Sequence, residues 1–503
     1  MIRKRKFKDI KPKRGNIIKL SSLLSGVCII KADDEAFVCD VKGIKENADD
    51  VTNGDMFLAV CGTQHDGFDY ISKAISNGAS VIIYEKRKKS FSCDIPGVHF
   101  IEVNNARKAA AHIYSNYYGN PERYMKLVGV TGTNGKTTVC RMIKHIIEKN
   151  GFVCGITATL GNGVGDDIES ADMTTPSPKE FYKLLDSYRK KGAEYAVIEV
   201  SSHALVQERL APCTFEVGAF TNITSDHMDY HKTKERYVSA KCKLFTQSKI
   251  SLLNGDDENC TTILSRTRGK KVLYSEKKGD VTFSDVCLHG KNGVSFRYKG
   301  LSECDVELKL PGEYNVKNAV CAIALCELLG VSCKDSASAL KDMECVRGRC
   351  EILNTDTDFS VVIDFAHTPD ALENILKTCR AFTKGRLICV FGCGGNRDKE
   401  KRPTMGMISS RIADVTVITS DNCRNEEPEN IISDILRGVD KHSVYKVIPN
   451  RTEAIRYALD IARTSDTVLL AGKGHEEYEI LKDGAHPYFE RNIVKDHLKE
   501  KYG

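Results

Sequence analysis

The alternation of apolar and polar residues predicts a strand, a glycine-rich loop and a helix between residues 126 and 149. Residues 127–130 are a short apolar run typical of a buried strand. Glycine and polar residues fill positions 131–138. Apolar residues then recur at helical spacing, at Val139, Met142, Ile143, Ile146 and Ile147. The pattern therefore predicts a strand–loop–helix unit.

The loop of this unit has the composition of a phosphate-binding loop. Its glycines let backbone N–H groups approach an anion, and the helix N-terminus adds partial positive charge. Lys136 is expected to reach the β and γ phosphates, and the Thr137 hydroxyl to bind Mg²⁺. The standard pattern has glycine five residues before Gly135, where this chain has Val130. A chance surface Gly-Lys-Thr is the alternative, but the flanking strand and helix favour nucleotide binding.

The same alternation divides the chain into three α/β units. The first runs from residue 17 to about 120, with strands at 55–60 and 79–84 around a helix at 69–76. The second starts before the loop, has strands at 195–200 and 217–221, and ends with an apolar helix that opens at 311–319 and runs to Leu329.

The third unit covers residues 346–503, and strands alternate with helical patterns along it. The predicted strands lie at 361–365, 387–391, 415–419 and 467–470. This order predicts a mostly parallel sheet with ligands beyond the carboxyl ends of the strands. We therefore expect an α/β fold with a small first domain, a central P-loop ATPase-like parallel-sheet domain and a Rossmann-like C-terminal domain.

Composition favours a soluble cytoplasmic protein. The chain is 41% hydrophobic, has no tryptophan, and has no apolar run near the ~18 residues of a membrane span. Its 20 cysteines include no CxxC pair, which suggests small buried hydrophobes in a reducing compartment. Eight Lys or Arg residues and one Asp lie in residues 1–16, so the net charge of +6 comes from this basic tail. A tether to nucleic acid or membrane is one reading of the tail and a solvated end the other; the near-neutral body argues against a nucleic-acid substrate.

Polar groups at the strand ends suggest phosphoryl transfer. Glu199 ends a predicted strand, either facing the nucleotide metal or as an ordinary charge, and a cluster of Asp226, His227, Asp229 and His231 follows another strand. The basic loop at 392–402 is either a second anion site or a solvated turn. These residues indicate phosphoryl transfer from ATP to a substrate with several anionic groups.

Seven motifs together resemble the Mur ligases. In order they are GVTGTNGKTT (129–138), EVSSHALVQERL (199–210), TNITSDHMDYH (221–231), GEYNVKNA (312–319), RGR (347–349), DFAHTPD (364–370) and AGKGHE (471–476). Their spacing is closest to the members that add the third residue to UDP-N-acetylmuramoyl-L-Ala-D-Glu. The resemblance implies a UMP-binding domain at 17–122 after the basic tail (1–16), an ATP-binding domain at 123–344 and an amino-acid-binding domain at 345–503. It also implies a two-step ligation through an acyl phosphate, with catalysis mainly by positioning and charge neutralisation.

The resemblance assigns roles residue by residue. Catalytic roles fall on Lys136, Glu199, His227 and Lys241, and metal ligation on Thr137, Glu199, His227 and a carbamylated Lys241, for which an ordinary helix-surface lysine is the alternative. ATP contacts fall on Gly132, Thr133, Asn134, Gly135, Lys136, Thr137, Thr138, Asn315, Arg349 and Asp364. UDP-muramoyl-dipeptide contacts fall on Thr63, Gln64, His65, Thr174, Thr175, Ser201, Gln207 and Arg209.

The choice of amino acid depends on the loop that follows the predicted strand at 415–419. Diaminopimelate ligases of the family carry D-N-P-R, and lysine-adding relatives lack that arginine; this chain has Asp421, Asn422, Cys423 and Arg424. A guanidinium can grip the second carboxylate of diaminopimelate with paired hydrogen bonds. The remaining diaminopimelate contacts that the resemblance implies are Arg397, Gly472 and Glu476. Arg424 as a mere surface charge is the alternative.

Four departures from the family pattern stand out. Residues 47–49 read Asn-Ala-Asp in place of D-S-R, Asn396 replaces an aspartate, and Arg347 and Cys423 replace prolines. The change at 47–49 affects the contacts expected with the nucleotide-sugar part of the substrate. The loss of the two prolines changes the stiffness of their loops. The competing readings are a lysine-adding ligase, a sister ligase such as folylpolyglutamate or cyanophycin synthetase, and a non-catalytic regulatory paralogue. We expect a monomer that uses ATP, Mg²⁺ and small-molecule substrates, binds no nucleic acid and spans no membrane.

Overall fold

The computed structural model describes residues 18–62, 65–86, 95–224 and 226–502. The chain is mixed α/β and divides into two compact units. One contains the chain up to Val128 together with Val153–Glu216, and the other contains Gly129–Phe152 and Val217–Gly503. The division falls inside two strands, Lys126–Thr131 and Phe215–Phe220.

The first unit contains a five-stranded sheet. The strand order is Ile29–Lys31, His99–Val103, Val81–Glu85, Met56–Ala59 and Ile44–Lys45, with the first pair antiparallel and the others parallel. Phe57, Ile71 and Ile82 lie in its core, which is fully buried. The predicted helix at 69–76 is a 3₁₀ turn, Gly67–Tyr70, followed by an α-helix, Ile71–Ser76.

A second set of strands in this unit leads to the predicted substrate residues. Tyr195–Glu199 pairs in parallel with Cys154–Ala158, which continues through antiparallel pairings to Gly161–Val164 and Asp167–Glu169. The unit also contains the short strands Ile18–Lys19 and Asp40–Val41 and the helices Leu20–Leu23, Ala106–Tyr117, Pro178–Lys190 and Ser202–Val206, with 3₁₀ turns Asp34–Val38, Ala48–Asp50 and Pro121–Arg123.

The second unit begins with the predicted loop and its helix. The helix runs over Lys136–Lys149, all five of its predicted apolar positions are fully buried, and it packs against the helix Glu313–Leu329. Nearby elements are the helices Met228–His231, Lys234–Thr246, Cys260–Arg266 and Cys333–Lys341, the parallel strands Ser248–Asn254 and Lys270–Tyr274, an antiparallel sheet of Thr282–Leu288, Val294–Lys299 and Glu303–Leu308, and the 3₁₀ turn Gly290–Asn292.

A six-stranded sheet forms the rest of this unit. Its order is Glu351–Leu353, Ser360–Asp364, Thr467–Ala471, Leu387–Phe391, Val415–Ile418 and Tyr445–Val447; only the Glu351–Leu353 edge pairs antiparallel. Apolar cores lie on both faces. The helices are Pro369–Phe382, Lys401–Ile412, Pro428–Leu436, Arg451–Ile461 and Glu490–Tyr502, and a hairpin of Tyr478–Leu481 and Gly484–Pro487 follows the last central strand. The prediction of a mostly parallel sheet is confirmed.

Several other predictions can be compared with the structure. Most described cysteines are buried, and all 19 are free thiols. In the part of the chain that the structure describes, no helix is long and apolar enough to cross a membrane. The basic tail, Thr63 and Gln64 lie outside the described residues, and the domain boundaries stay a prediction.

Candidate active site

The phosphate loop is held in shape by contacts with the strand end at 221–224. Thr133 N donates to Asn222 O at 2.7 Å, and Asn134 N donates to Asn222 Oδ1 at 2.9 Å. The hydroxyl of Thr133 lies 3.2 Å from the carbonyl of Thr224. Lys136 begins the helix, and its Nζ donates to Thr133 O at 2.9 Å. The loop therefore presents a lysine and a helix N-terminus together, as anion binding requires.

Two glycines of this loop cannot be replaced without displacing neighbours. Gly135 has φ +84°, a conformation that side chains rarely adopt, and an added Cβ would collide with Asn318 Oδ1. An added Cβ at Gly132 would collide with Thr221 Oγ1. The close approach of Asn318 also brings the helix Glu313–Leu329 to the loop, where Asn315 Oδ1 accepts from Asn318 Nδ2 at 3.1 Å.

Cationic groups surround the carboxylate of Asp226. Burial would raise its pKa, but His227, His367, Lys401 and Lys136 outweigh that effect and lower the pKa to about 2. His227 itself has φ +56°, and its backbone N–H donates to Asp226 Oδ1 at 2.9 Å. The left-handed backbone at His227 is a strained conformation of the kind that functional sites hold.

Lys241 is not the exposed helix-surface lysine of the alternative reading. Only 1% of the residue is exposed, and its Nζ donates to Gly132 O at 2.6 Å. The same Nζ lies 4.4 Å from the ring centroid of Tyr237, whose hydroxyl is 3.1 Å from Thr133 Oγ1. Lys241, on the helix Lys234–Thr246, therefore contacts the phosphate loop directly.

Arg349 joins the phosphate loop to the six-stranded sheet, and Asp364 holds the backbone beside it. The Arg349 guanidinium lies 4.6 Å from the Phe365 ring centroid and donates to Thr137 Oγ1 at 3.3 Å. The carboxylate of Asp364 accepts hydrogen bonds from the backbone N–H groups of Cys350 at 2.6 Å and Ala366 at 2.7 Å. Burial raises the pKa of Asp364, although Arg349 opposes the rise. Asp364 thus ties two loops together, and its contact with ATP stays a prediction.

The predicted muramoyl-dipeptide residues of the first unit form a cluster around Glu199. Thr175 Oγ1 donates to Glu199 O at 2.6 Å and accepts from Ser201 N at 3.0 Å. The carboxylate of Glu199 accepts from Thr159 N at 3.0 Å. Arg209 donates to Thr175 O and, at 2.8 Å, to Gln207 Oε1.

The two remaining residues of this prediction behave differently. Thr174 joins the cluster through its hydroxyl, 2.9 Å from that of Thr159. His65 is exposed, and its carbonyl accepts from Gly62 N at 2.8 Å. Near it in sequence, Asn47 caps the turn Ala48–Asp50 through its side chain.

Two arginines come together at the carboxyl ends of the parallel strands. Arg424, with φ +54°, donates from Nη1 to Gly395 O at 3.0 Å and to Asn422 O at 3.1 Å. Burial, and then the like charge of Arg397, lower the pKa of the Arg424 guanidinium. Two guanidiniums held against their mutual repulsion favour an anionic ligand.

Carboxylates and an amide complete this end of the sheet. Asn422 Nδ2 donates to Glu476 Oε2 at 2.9 Å. Burial, and then Asp421, raise the pKa of Glu476 to about 7. An added Cβ at Gly472, where φ is +120°, would approach Asp421 Oδ2, so this glycine keeps the carboxylate close. Cys423 is buried, and its thiol donates to Asp421 O at 3.3 Å.

The hydroxyl of Thr137 is an oxygen ligand of the kind that Mg²⁺ prefers. Among the described residues, no three His, Cys, Asp or Glu side chains are grouped to hold a metal by themselves. Mg²⁺ usually takes one or two protein ligands and fills the rest with water and substrate phosphates. A carbamate on Lys241 also fits, because its nitrogen keeps one hydrogen for Gly132 O.

Four residues with direct contacts in these sites were not predicted from the sequence. Asn222 holds the phosphate loop, Asp370 accepts from Asn134 Nδ2 at 2.7 Å, Thr159 binds Glu199, and Lys473 contacts Asn422 at 3.0 Å. Three of them lie inside motifs that the sequence analysis quotes, which was the available signal. Thr159 lies in none.

Comparison with known families identifies the class of protein. The family model for the Mur ligase middle domain matches residues 130–326, the model for the Mur ligase, glutamate ligase domain matches 348–474, and the model for the Mur ligase family, catalytic domain matches 40–118. The chain belongs to the Mur ligase family. It is an ATP-dependent, amide-forming ligase of peptidoglycan precursor synthesis.

Curated relatives and solved structures are similar over most of their length. The UDP-N-acetylmuramoyl-L-alanyl-D-glutamate–2,6-diaminopimelate ligase of Clostridium tetani is 43% identical over 92% of this chain and 96% of the relative. The ligase of the same name from Clostridium botulinum is 41% identical over 94% and 99%. A solved structure of a ligase with this name is 28% identical, with a TM-score of 0.68 over 97% of this chain and 100% of that one.

Proposed function

We propose that this ligase joins meso-diaminopimelate to the D-Glu residue of UDP-N-acetylmuramoyl-L-Ala-D-Glu. The γ-phosphoryl group of ATP passes to the D-Glu side-chain carboxylate, which gives an acyl phosphate and ADP. An amine of diaminopimelate then attacks the acyl carbon, the amide bond forms, and phosphate leaves. ATP and the UDP-sugar are cytoplasmic metabolites, so we place the reaction in the cytoplasm.

One observation carries the choice of amino acid: Arg424 and Arg397 both border Gly394, where an added Cβ would lie 3.0 Å from Arg424 Nη1 and 3.7 Å from Arg397 Cγ. Asn422 accepts from Arg424 through its carbonyl and donates to Glu476 through its amide. The far end of meso-diaminopimelate carries an ammonium and a carboxylate, whereas lysine carries an ammonium alone. The two guanidiniums can bind this carboxylate, and the carboxylate of Glu476 can bind the ammonium. The names of the C. tetani and C. botulinum relatives support the same substrate.

The residues of the phosphate loop bind and orient ATP in this proposal. Lys136 and the N-terminus of its helix offset phosphate charge, and Arg349, whose Nη2 already reaches Thr137, supplies a further cation. Thr137 and His227 would hold Mg²⁺, which would neutralise phosphate charge. Positioning and charge neutralisation are the main tasks of a protein in phosphoryl transfer.

We also assign a carbamate to Lys241. A carbamate would turn this buried lysine, which contacts the phosphate loop, into an oxygen ligand of the kind that Mg²⁺ prefers. Adding ¹³C-bicarbonate to the protein should give a carbamate carbon signal that Lys241→Arg lacks.

Phosphate release tests the amino-acid assignment directly. We expect purified protein with ATP, Mg²⁺ and the UDP-muramoyl-dipeptide to release phosphate only after meso-diaminopimelate is added, and far less with L-lysine. Turnover with lysine at an equal rate would reject the assignment but keep the ligase. Binding of ATP without turnover on either amino acid would indicate a regulatory protein.

A further inference from the structure

The amide of Asn422 is locked in one orientation by its neighbours. Its Oδ1 accepts from Lys473 Nζ at 3.0 Å and from the backbone N–H of Ile480 at 2.9 Å. Because both neighbours are donors, the oxygen must lie on their side and Nδ2 on the side of Glu476, to which it donates at 2.9 Å. Rotating the amide by 180° would place its NH₂ group against two donors.

Lys473 is fully buried, which needs a reason. Its Nζ also donates to Tyr478 O at 3.0 Å and lies 5.3 Å from the ring centroid of Tyr488. Asp421 and Glu476 each have a carboxylate oxygen 3.9 Å from it. A buried ammonium is costly unless it is paired, so this lysine is placed where it satisfies the amide and both carboxylates at once.

We propose that Lys473 is a positioning residue for the amine donor: it fixes the Asn422 amide and holds the Glu476 carboxylate in the arrangement that recognises the ammonium–carboxylate end of a diamino diacid. This inference rests on the proposed function and assigns the geometry of its amino-acid end to a residue that acts through others.

The charges around Glu476 give this role a signature in the pH profile. Asp421 and burial raise the pKa of Glu476 to about 7, whereas Asn422, Lys473 and Arg424 lower it. Without the charge of Lys473, the effects of burial and of Asp421 are less opposed, so the pKa of Glu476 should rise further. Glu476 must be ionised to bind an ammonium, so the pH at which the substrate binds well should move upward.

The test is the steady-state release of phosphate by the full chain between pH 6.5 and 9. We expect Lys473→Met to raise KM for meso-diaminopimelate by about tenfold to a hundredfold at pH 7, the loss of one hydrogen bond to a charged group. KM for ATP should stay within about twofold, and raising the pH should recover part of the lost diaminopimelate affinity. Lys482→Met is the control, because Lys482 is exposed between the hairpin strands Tyr478–Leu481 and Gly484–Pro487; its kinetics should match those of the wild type.

A second variant covers the case in which Lys473→Met does not fold, as judged by thermal unfolding and binding of an ATP analogue. Asn422→Asp keeps the oxygen that accepts from both Lys473 and Ile480 but replaces the group that donates to Glu476 with an anionic oxygen. It should raise the same KM and the pH needed for binding. Combined with Lys473→Met, its effects should not be additive, because both act on one arrangement.

The outcomes separate this inference from the proposed function. If the wild type uses no diaminopimelate, the proposed function fails and this inference falls with it. If the wild type uses it, two results reject the positioning role alone: unchanged kinetics in Lys473→Met, or equal losses for ATP and diaminopimelate with no change in the pH profile. For Asn422→Asp, an unchanged diaminopimelate KM has the same meaning.

Discussion

The conformations and contacts of single residues in this ligase go beyond what their local sequence predicts. Arg424 has a left-handed backbone, and its guanidinium is held by the carbonyls of Gly395 and Asn422. Both hydrogen bonds use Nη1, so two neutral carbonyl groups fix the orientation of the guanidinium. An arginine held by neutral carbonyls still carries a positive charge that a ligand carboxylate can pair with.

Replacing Arg424 with alanine tests this at the level of one side chain. Losing a charge-assisted contact to a carboxylate should raise KM for meso-diaminopimelate by about tenfold to a hundredfold and leave KM for ATP nearly unchanged. Arg411→Ala is the matched control, because Arg411 is an exposed arginine on the neighbouring helix. Equal losses for both substrates would contradict the role in specificity.

Two loops are joined by hydrogen bonds around the buried guanidinium of Arg402, which pairs with Glu426 and, at 2.9 Å, with Asp434. Arg402 is fully buried and binds both oxygens of Glu426 at 3.0 Å, while Glu426 Oε1 also accepts from Asn396 N at 2.6 Å. Arg402 reaches the loop of the arginine pair as well, donating to Gly394 O at 3.2 Å. The helix Lys401–Ile412 therefore fixes the loops on which Arg397 and Arg424 lie.

The pH dependence of this pair follows from its charges. Hydrogen bonds from Arg402 lower the pKa of Glu426 from its ordinary value of 4.5 to about 2. A depressed folded-state pKa means that the stabilisation is fully present above pH 4.5 and is lost as the pH falls toward 2. The size of the shift corresponds to roughly 3 kcal/mol at most.

We expect Glu426→Gln to lower the free energy of unfolding at pH 7 by about 1–2 kcal/mol, because the buried Arg402 loses its charge-assisted hydrogen bonds to Glu426 but keeps the one to Asp434 at 2.9 Å. Urea unfolding at pH 7 and at pH 3 should show this difference shrinking in acid. Glu373→Gln is the control, because its pair with Lys377 is exposed. A difference between Glu426→Gln and the wild type that does not change with pH would contradict the assignment.

Elements with strong periodicity could be predicted from the sequence, and contacts between distant segments could not. The helix Lys136–Lys149 and the strand Leu387–Phe391 follow from apolar spacing alone. The edge strand Glu351–Leu353 and the hairpin Tyr478–Leu481 with Gly484–Pro487 are short and only partly buried, so their residues carry no clear pattern.

The candidate site shows the same limit. Motifs pointed to Asn422 and Glu476, but the role of Lys473 depends on a hydrogen bond to a residue 51 positions away in the chain. A buried lysine and a surface lysine look alike in a sequence, because burial is decided by tertiary packing. Lys241 is the second example: its spacing gave no sign of its contact with Gly132.

At the scale of the whole molecule, the second unit places the phosphate loop and the six-stranded sheet in one compact body. Asn134 donates to Asp370 at 2.7 Å across 236 residues of sequence, and Arg349 reaches Thr137. Both contacts link a residue predicted to bind ATP to the part of the chain that carries the proposed amino-acid site. Binding at one site can therefore favour binding at the other.

Asp370→Ala tests this coupling. Calorimetric titration of meso-diaminopimelate, with and without a non-hydrolysable ATP analogue, should show tighter binding with nucleotide in the wild type. The variant should lose about threefold to tenfold of that enhancement, the value of one hydrogen bond, because Asn134 no longer has its acceptor. Glu373→Ala removes an exposed acid one turn further along the same helix and should keep the full enhancement. If Asp370→Ala keeps it too, the two sites bind independently and the Asn134–Asp370 contact serves only to hold the fold.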